Sequence, residues 1–314
     1  MARTPDGSLR RRSTYRVLSA LTLVTLAAGA VTACSDRGPA PERAATSSAT
    51  SSASPGAGQS DGSALHMITN AGHRLAFHVT QGNDHTIVLD SGGGEDSSQW
   101  DALVPRLRAD TGATVITYDR AGLGRSDVVP GPWKVESAVS DLKSGLEQLG
   151  VTGNVTLVSH SQAGEVANHF AAENPKMLAG AVLVDANLPQ FFTDEEISRL
   201  VAASQPQVDA AKQDPDKPEN RQLISTADGF APAHQAFHEV SWPDSVPATV
   251  MVSEKTPFDD SPVDAQRWRD AAASFAQDGP DRTLVTVTGS SHEVPTDRPD
   301  VVLEEVEDMV AARH

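Results

Sequence analysis

From about residue 66 onward, short apolar runs alternate with longer segments whose apolar residues recur every three or four positions. Residues 66–70 and 74–80 are predicted to form a strand pair that turns at Ala71-Gly72. Further strands are predicted at 86–90, 113–119, 154–159 and 179–185, with helices at 98–110, 135–149 and 162–173 between them. The first of these helices carries Trp100, Leu103, Val104 and Leu107 on one stripe. Strands that are continuous apolar runs, separated by amphipathic helices, indicate a parallel sheet covered on both faces. The alternation stops over residues 187–246, which are polar and helix-prone. There Thr193-Asp-Glu-Glu196 is a capping signal ahead of Ile197, Leu200 and Val201. The Pro- and Asp-rich residues 205–220 read as a loop. Strand, helix and strand return at 248–253, 263–276 and 283–288, and a last helix is predicted over 299–313. The predicted fold class is α/β, a doubly wound, mostly parallel sheet with a small helical cap (about 187–246) inserted after the sixth strand. Such an insert covers the strand ends, where ligands bind in sheets of this kind.

The first 63 residues do not share this pattern. Residues 1–33 join a positive start (Arg3, Arg10, Arg11, Arg12 and Arg16) to an apolar run from Val17 to about Val31, the layout of a signal peptide. The run is too short and too rich in Ala, Thr and Gly for a membrane span. It ends in Val31-Thr-Ala-Cys34, which resembles the bacterial lipobox. That resemblance implies cleavage before Cys34 and lipidation of its thiol; an ordinary secretory signal with an incidental Cys34 is the alternative. Residues 35–63 are mostly Ser, Ala, Gly, Pro and Thr and cannot bury enough surface to order themselves. They read as a tether with a reach of roughly 30 Å. One domain is expected over residues 64–314, on the outer face of the cell membrane or secreted.

Charge and cysteine content narrow the partners. The chain has 25 basic and 42 acidic residues, a formal net charge of −17. The five Arg of residues 1–33 against one Asp make the remainder more acidic still. Such a surface repels nucleic acid and anionic membrane, so membrane contact is expected only through the lipid. Cys34 is the single cysteine, which excludes an intramolecular disulfide.

Candidate chemistry centres on Leu157-Val-Ser-His-Ser161-Gln-Ala-Gly164, at a predicted strand-to-helix junction. A Ser on so sharp a turn is held above the sheet, provided that the positions two before and two after are small. Ser159 and Ala163 occupy those positions, followed by Gly164. The competing reading is that Ser161 caps the helix that follows.

Three further motifs accompany this one: Asp90-Ser-Gly-Gly-Gly94, Tyr118-Asp-Arg-Ala-Gly-Leu-Gly-Arg-Ser126, and Gly289-Ser-Ser-His292 beyond the last predicted strand. Together they make residues 66–314 resemble the α/β-hydrolase family. The resemblance implies Ser161 as nucleophile, His292 as its base and a structural turn over 118–126. It also implies oxyanion-hole N–H groups at Gly93 and Gln162. Of the ten histidines, His292 alone follows the terminal strand in a Gly/Ser loop, and His160 is expected to point away from the chemistry. Many relatives place the orienting acid after the seventh strand, where this chain has Glu254 and Asp259 but lacks the Gly-x-x-Asp turn. Others place it at the end of the sixth strand, where Asp185 stands. Asp185 is the choice, with Glu254 and Asp259 as alternatives.

The implied reaction is acyl transfer from a small-molecule ester to water, with no metal or organic cofactor. An aminopeptidase-like amide hydrolase and a non-catalytic binding lipoprotein on the same scaffold are the alternatives. Ser161 in place of Asp disfavours the alkyl-enzyme route. The cap aromatics Phe191, Phe192, Phe230, Phe237 and Trp242 are expected to shape the substrate pocket. His234 and His238 have the i, i+4 spacing of helical metal ligands, but no third ligand accompanies them and packing is expected. The sequon at Asn154 falls in a predicted buried strand.

Overall fold

A computed structural model describes residues 62–312. The expected signal peptide (1–33), Cys34 and all but the last two residues of the expected tether lie outside the described residues. Eight strands form one sheet: β1 (Ala64–Asn70), β2 (His73–Thr80), β3 (Thr86–Asp90), β4 (Thr114–Asp119), β5 (Val155–His160), β6 (Leu178–Val184), β7 (Ala248–Ser253) and β8 (Arg282–Val287). Their order is β1-β2-β4-β3-β5-β6-β7-β8. β1, β2 and β4 pair antiparallel, and every other neighbour is parallel.

Strands β3 to β5 are buried at every position because helices cover both faces. The two-residue period of a strand divides their side chains between two cores. Leu157, Leu183, Val250 and Val252 enter one, with Phe77, Leu142, Phe170 and Trp268. Val158, Val182, Val184 and Met251 enter the other, with Trp100, Leu107 and Val306. The first core lies under α2 (Val135–Gln148), α3 (Ala163–Glu173) and α6 (Pro262–Gln277); the second lies under α1 (Val104–Thr111) and α8 (Pro299–Ala311). The outer strands β1 and β8 are partly exposed, as edges are.

Two predicted elements differ. The helix expected at 98–110 is a 3₁₀ turn at Ser97–Trp100 followed by α1. Pro105 lacks an N–H and clashes with a preceding turn, so the helix starts afresh with the proline in its first turn. The loop expected at 205–220 is largely helix. α4 (Asp194–Ala211) runs through Pro206, and α5 (Pro218–His238) begins seven residues after it ends. Burial of Ser204, Val208 and Ala211 outweighs the hydrogen bond lost at Pro206.

α4 and α5 form the cap between β6 and β7. Thr193 accepts a hydrogen bond from the Glu196 N–H at the start of α4. The cap is clamped to α6 by charge: Arg199 forks onto Asp264, and Arg267 donates to the buried Glu196 carboxylate at 2.5 Å.

Candidate active site

The turn from β5 into α3 holds Ser161 at φ +54°, a left-handed conformation that is rare for a non-glycine residue and marks strain. Small neighbours make the turn possible. Ser159 and Ala163 are fully buried, and a Cβ on Gly164 would overlap the Asn187 backbone. The Asn187 N–H donates to the Ser161 carbonyl at 2.8 Å, and the Ser161 N–H donates to Val184 at 3.2 Å, which ties the elbow to the end of β6. The helix-cap reading of Ser161 fails, because Gln162 occupies the cap position of α3 without a side-chain bond.

Instead the Ser161 hydroxyl lies 2.9 Å from His292 Nε2. His292 comes from the loop after β8, and its Nδ1 lies 2.6 Å from Asp185 Oδ2. Asp185 directly follows β6 at φ +41°, a second strained residue. Its carboxylate is filled: Oδ1 accepts from the Ser253 N–H at 3.0 Å and from Trp268 Nε1 at 2.8 Å, and Oδ2 also accepts from the Ser253 hydroxyl at 2.6 Å. Burial alone pushes the Asp185 carboxyl up. The hydrogen bond from His292, its charge, and the Ser253 and Trp268 donors outweigh burial and hold it below the usual range. The alternative acids sit elsewhere. Glu254 accepts from the Gly289 N–H at 2.6 Å and so braces the loop that carries His292. Asp259 is exposed on the turn before α6.

The glycine loop after β3 closes over the elbow. A Cβ on Gly92 would stand 3.5 Å from Ser161 Cβ, and one on Gly93 would stand 2.7 Å from Gln162 Oε1. The Gly93 and Gln162 N–H groups donate to no acceptor among the described residues, which leaves two donors beside Ser161. Arg120 fixes the loop from beneath: it donates to Asp90 Oδ1 at 2.5 Å, to the Ser91 carbonyl and to the Gly92 carbonyl at 2.5 Å.

His160 does not point away from the chemistry. Its Nε2 donates to the His292 carbonyl at 2.9 Å, and its Nδ1 accepts from Gln99 Nε2 at 3.0 Å. The tautomer follows, since a carbonyl can only accept. Gln99 Oε1 in turn accepts from the Gly92 N–H at 3.0 Å. One buried imidazole therefore links the glycine loop to the backbone of His292. Burial, and then the neighbouring His292, lower the His160 pKa to about 3, so the ring is neutral.

A pocket of about 70 Å³ opens beside the elbow. Gly93, Gln162, Glu165 and Asn187 line it together with Phe192, Phe230, Phe258 and Trp268. Of the five cap aromatics expected there, Phe192 and Phe230 line it. Phe191 packs behind, against Phe258 and Trp268; Phe237 is buried against Phe192; and Trp242 packs on Phe275. Only rings on the sheetward side of the cap can reach the pocket, and linear sequence does not mark that side.

His234 and His238 diverge. His234 meets Glu165 at 2.9 Å, and His238 Nδ1 donates to the Pro189 carbonyl at 2.9 Å. Among the described residues no group of three His, Cys, Asp or Glu could hold a metal ion. Asn154 lies on an exposed turn at φ +57° just before β5, not inside the strand.

Sequence and structure comparisons fit this arrangement. Residues 87–305 match the model of the "Alpha/beta hydrolase family". An uncharacterized protein of Mycobacterium tuberculosis is 32% identical over 122 residues, 39% of this chain. The match spans only 35% of that relative's length. A thermophilic esterase from Thermogutta terrifontis covers 80% of this chain and 99% of its own, at 22% identity and a TM-score of 0.55. An esterase from Exiguobacterium antarcticum covers 78% of this chain and 98% of its own, at 17% identity and a TM-score of 0.59. The family model spans most of the chain and takes in the elbow, the end of β6 and the loop of His292; the chain belongs to the α/β hydrolase family.

Proposed function

We propose that the protein is an exported serine hydrolase that cleaves a carboxylic ester through Ser161, His292 and Asp185. The observation that carries this reading is the unbroken line from the Ser161 hydroxyl through His292 to Asp185, at 2.9 and 2.6 Å. The steps follow from it. His292 Nε2 takes the hydroxyl proton as Ser161 Oγ bonds to the ester carbonyl carbon. The N–H groups of Gly93 and Gln162 hold the resulting oxyanion, an interaction worth on the order of 10²–10³ in rate for each donor. His292 then passes the proton to the departing alcohol, leaving an acyl-Ser161. A water molecule, deprotonated by the same imidazole, attacks the acyl-enzyme, and the acid leaves as Ser161 regains its proton. Asp185 keeps Nδ1 protonated and stabilises the transient imidazolium. Two structures that share the fold are described as esterases, in line with ester cleavage.

The test uses the purified protein and a fluorophosphonate probe. Labelling of the wild type that disappears in Ser161→Ala and His292→Ala is expected. A folded wild type that resists the probe would overturn the enzyme reading in favour of a binding protein. Short-chain p-nitrophenyl esters are expected to turn over faster than aminoacyl anilides; the reverse order would make the enzyme an amide hydrolase. The export reading includes anchoring by lipidated Cys34. Cys34→Ala is expected to move the protein from the membrane fraction into the medium, and an unchanged distribution would refute lipidation.

A further inference from the structure

One polar group in the pocket takes no part in the steps above. Glu165 stands one helical turn beyond Ser161 and is 1% exposed, yet it lines the pocket among Phe192, Leu200, Phe230 and Trp268. Its Oε1 meets Asn187 Nδ2 at 2.6 Å and His234 Nε2 at 2.9 Å. Its Oε2 is buried and has no partner among the described residues. A buried acceptor without a donor costs about 1–3 kcal/mol, more where it carries charge. Such a group in a pocket wall calls for an explanation.

Charge accounting limits what can supply the missing donor. His234 Nδ1 lies 2.8 Å from the Phe230 carbonyl, which can only accept, so Nδ1 carries a hydrogen. Nε2 faces a carboxylate oxygen, and a stable contact needs a proton between the two. Whichever atom holds that proton, the Glu165–His234 pair is neutral as a unit, and Oε2 remains an acceptor. A neutral donor completes such a site. An ammonium group would instead bring an unbalanced charge into a desolvated, mostly apolar pocket. A strut joining α5 to α3 would need Oε1 alone, and would leave Oε2 unexplained.

We propose that Glu165 is a specificity-determining residue: its Oε2 accepts a hydrogen bond from a hydroxyl or amide N–H of the substrate, so the site selects small esters that carry such a neutral donor near the scissile carbonyl. This rests on the hydrolase reading above. Size agrees with it. The pocket holds about 70 Å³ and a single water needs about 10–15 Å³ of such space, so only a short substituent fits. Position agrees as well, because Gly93 and Gln162 line the same pocket and keep the donor within a few atoms of the oxyanion.

The experiment compares kcat/KM on the purified protein. p-Nitrophenyl butyrate is set against its 2-hydroxy, 3-hydroxy and 3-amino derivatives, and ethyl butyrate against 2-hydroxyethyl butyrate. A hydroxylated ester of one series is expected to exceed its plain parent by about tenfold or more, since sites built to pair a substrate donor discriminate strongly. That ratio is expected to fall towards one in Glu165→Gln, a shift that a purely structural strut would not produce. Wild-type ratios near one in both series would overturn the proposal, and they require no variant to fold. A preference for the ammonium ester would overturn it too, as would a ratio unchanged in Glu165→Gln. If fluorophosphonate labels Ser161 while the ratios stay near one, only the selectivity proposal fails. If there is neither labelling nor turnover, the hydrolase reading fails and takes this proposal with it.

Discussion

Two buried carboxylate–imidazole pairs meet at the same elbow, and they differ in how their oxygens are filled. Asp185 accepts four hydrogen bonds, two on each oxygen, from His292, Trp268 and both polar groups of Ser253. Glu165 makes two, both through one oxygen. A carboxylate with every lone pair engaged has one remaining task, to hold its imidazole in one tautomer and orientation. A carboxylate with an idle oxygen has capacity left for a ligand. The lesson is that burial and a histidine partner do not by themselves assign a role; the unfilled acceptor does.

The largest break in this comparison is expected from Asp185→Asn. It replaces an acceptor of the Nδ1 proton by a group that favours the wrong tautomer, and kcat on a p-nitrophenyl ester is expected to fall by about 10⁴. Glu254→Gln, which touches only the Gly289 N–H, is expected to stay within a few-fold. The reverse ranking would move the acid to β7.

Next in size is an effect of pH on stability. His160 titrates near 6.5 when unfolded but near 3 when folded. Between those values the unfolded chain binds the extra proton, so the folded state loses stability as pH falls from about 6.5 to about 3. The whole shift corresponds to on the order of 5 kcal/mol. His160→Gln should flatten the fall of melting temperature across that window in calorimetry; an unchanged slope would show that the imidazole is not buried neutral. Asp185 acts lower. Its folded value is depressed, so its contribution is complete above the unfolded value near 3.8 and is lost as pH falls through the folded one.

A smaller effect is expected from Trp268→Phe, which removes one of the four donors to Asp185 without removing its charge. The cost is about 1–3 kcal/mol for the deprived acceptor. It should appear mainly as lower kcat, with KM less affected, if the indole serves the closed pair. Loss confined to KM would place Trp268 in the pocket alone. Smallest is Thr193→Ala at the start of α4, which should lower stability by about 1 kcal/mol in denaturant unfolding.

The sequence carried the parts of this site that local rules govern. Small residues around Ser161 and a Gly/Ser loop after a terminal strand are short-range necessities, and both are visible in the linear chain. So are the strands, because full burial requires unbroken apolar runs. What stays hidden depends on long-range convergence. Ser253 and Trp268 reach Asp185 from 68 and 83 positions away, and no local pattern marks either as a donor. As the neighbour of Ser161 on one turn, His160 is expected to point elsewhere, but the loop of His292, 132 positions on, comes back to meet its ring. Glu165 lay within a helix whose burial on all sides was not evident. The helix through Pro206 escaped because local propensity yields to packing against a neighbour.

Asp185 is the last residue before the chain departs for the cap, and Ser253, two of whose groups grip it, is the last residue of the strand by which the chain returns. The point of exit and the point of re-entry are thus stitched together by the group that steers the imidazole. Lengthening, trimming or swapping the excursion between them pulls on that stitch before it reaches Ser161. Grafts meant to change what the proposed hydrolase accepts should therefore keep both anchor residues, or the activity proposed above is expected to be lost through a tilted base rather than a reshaped cavity.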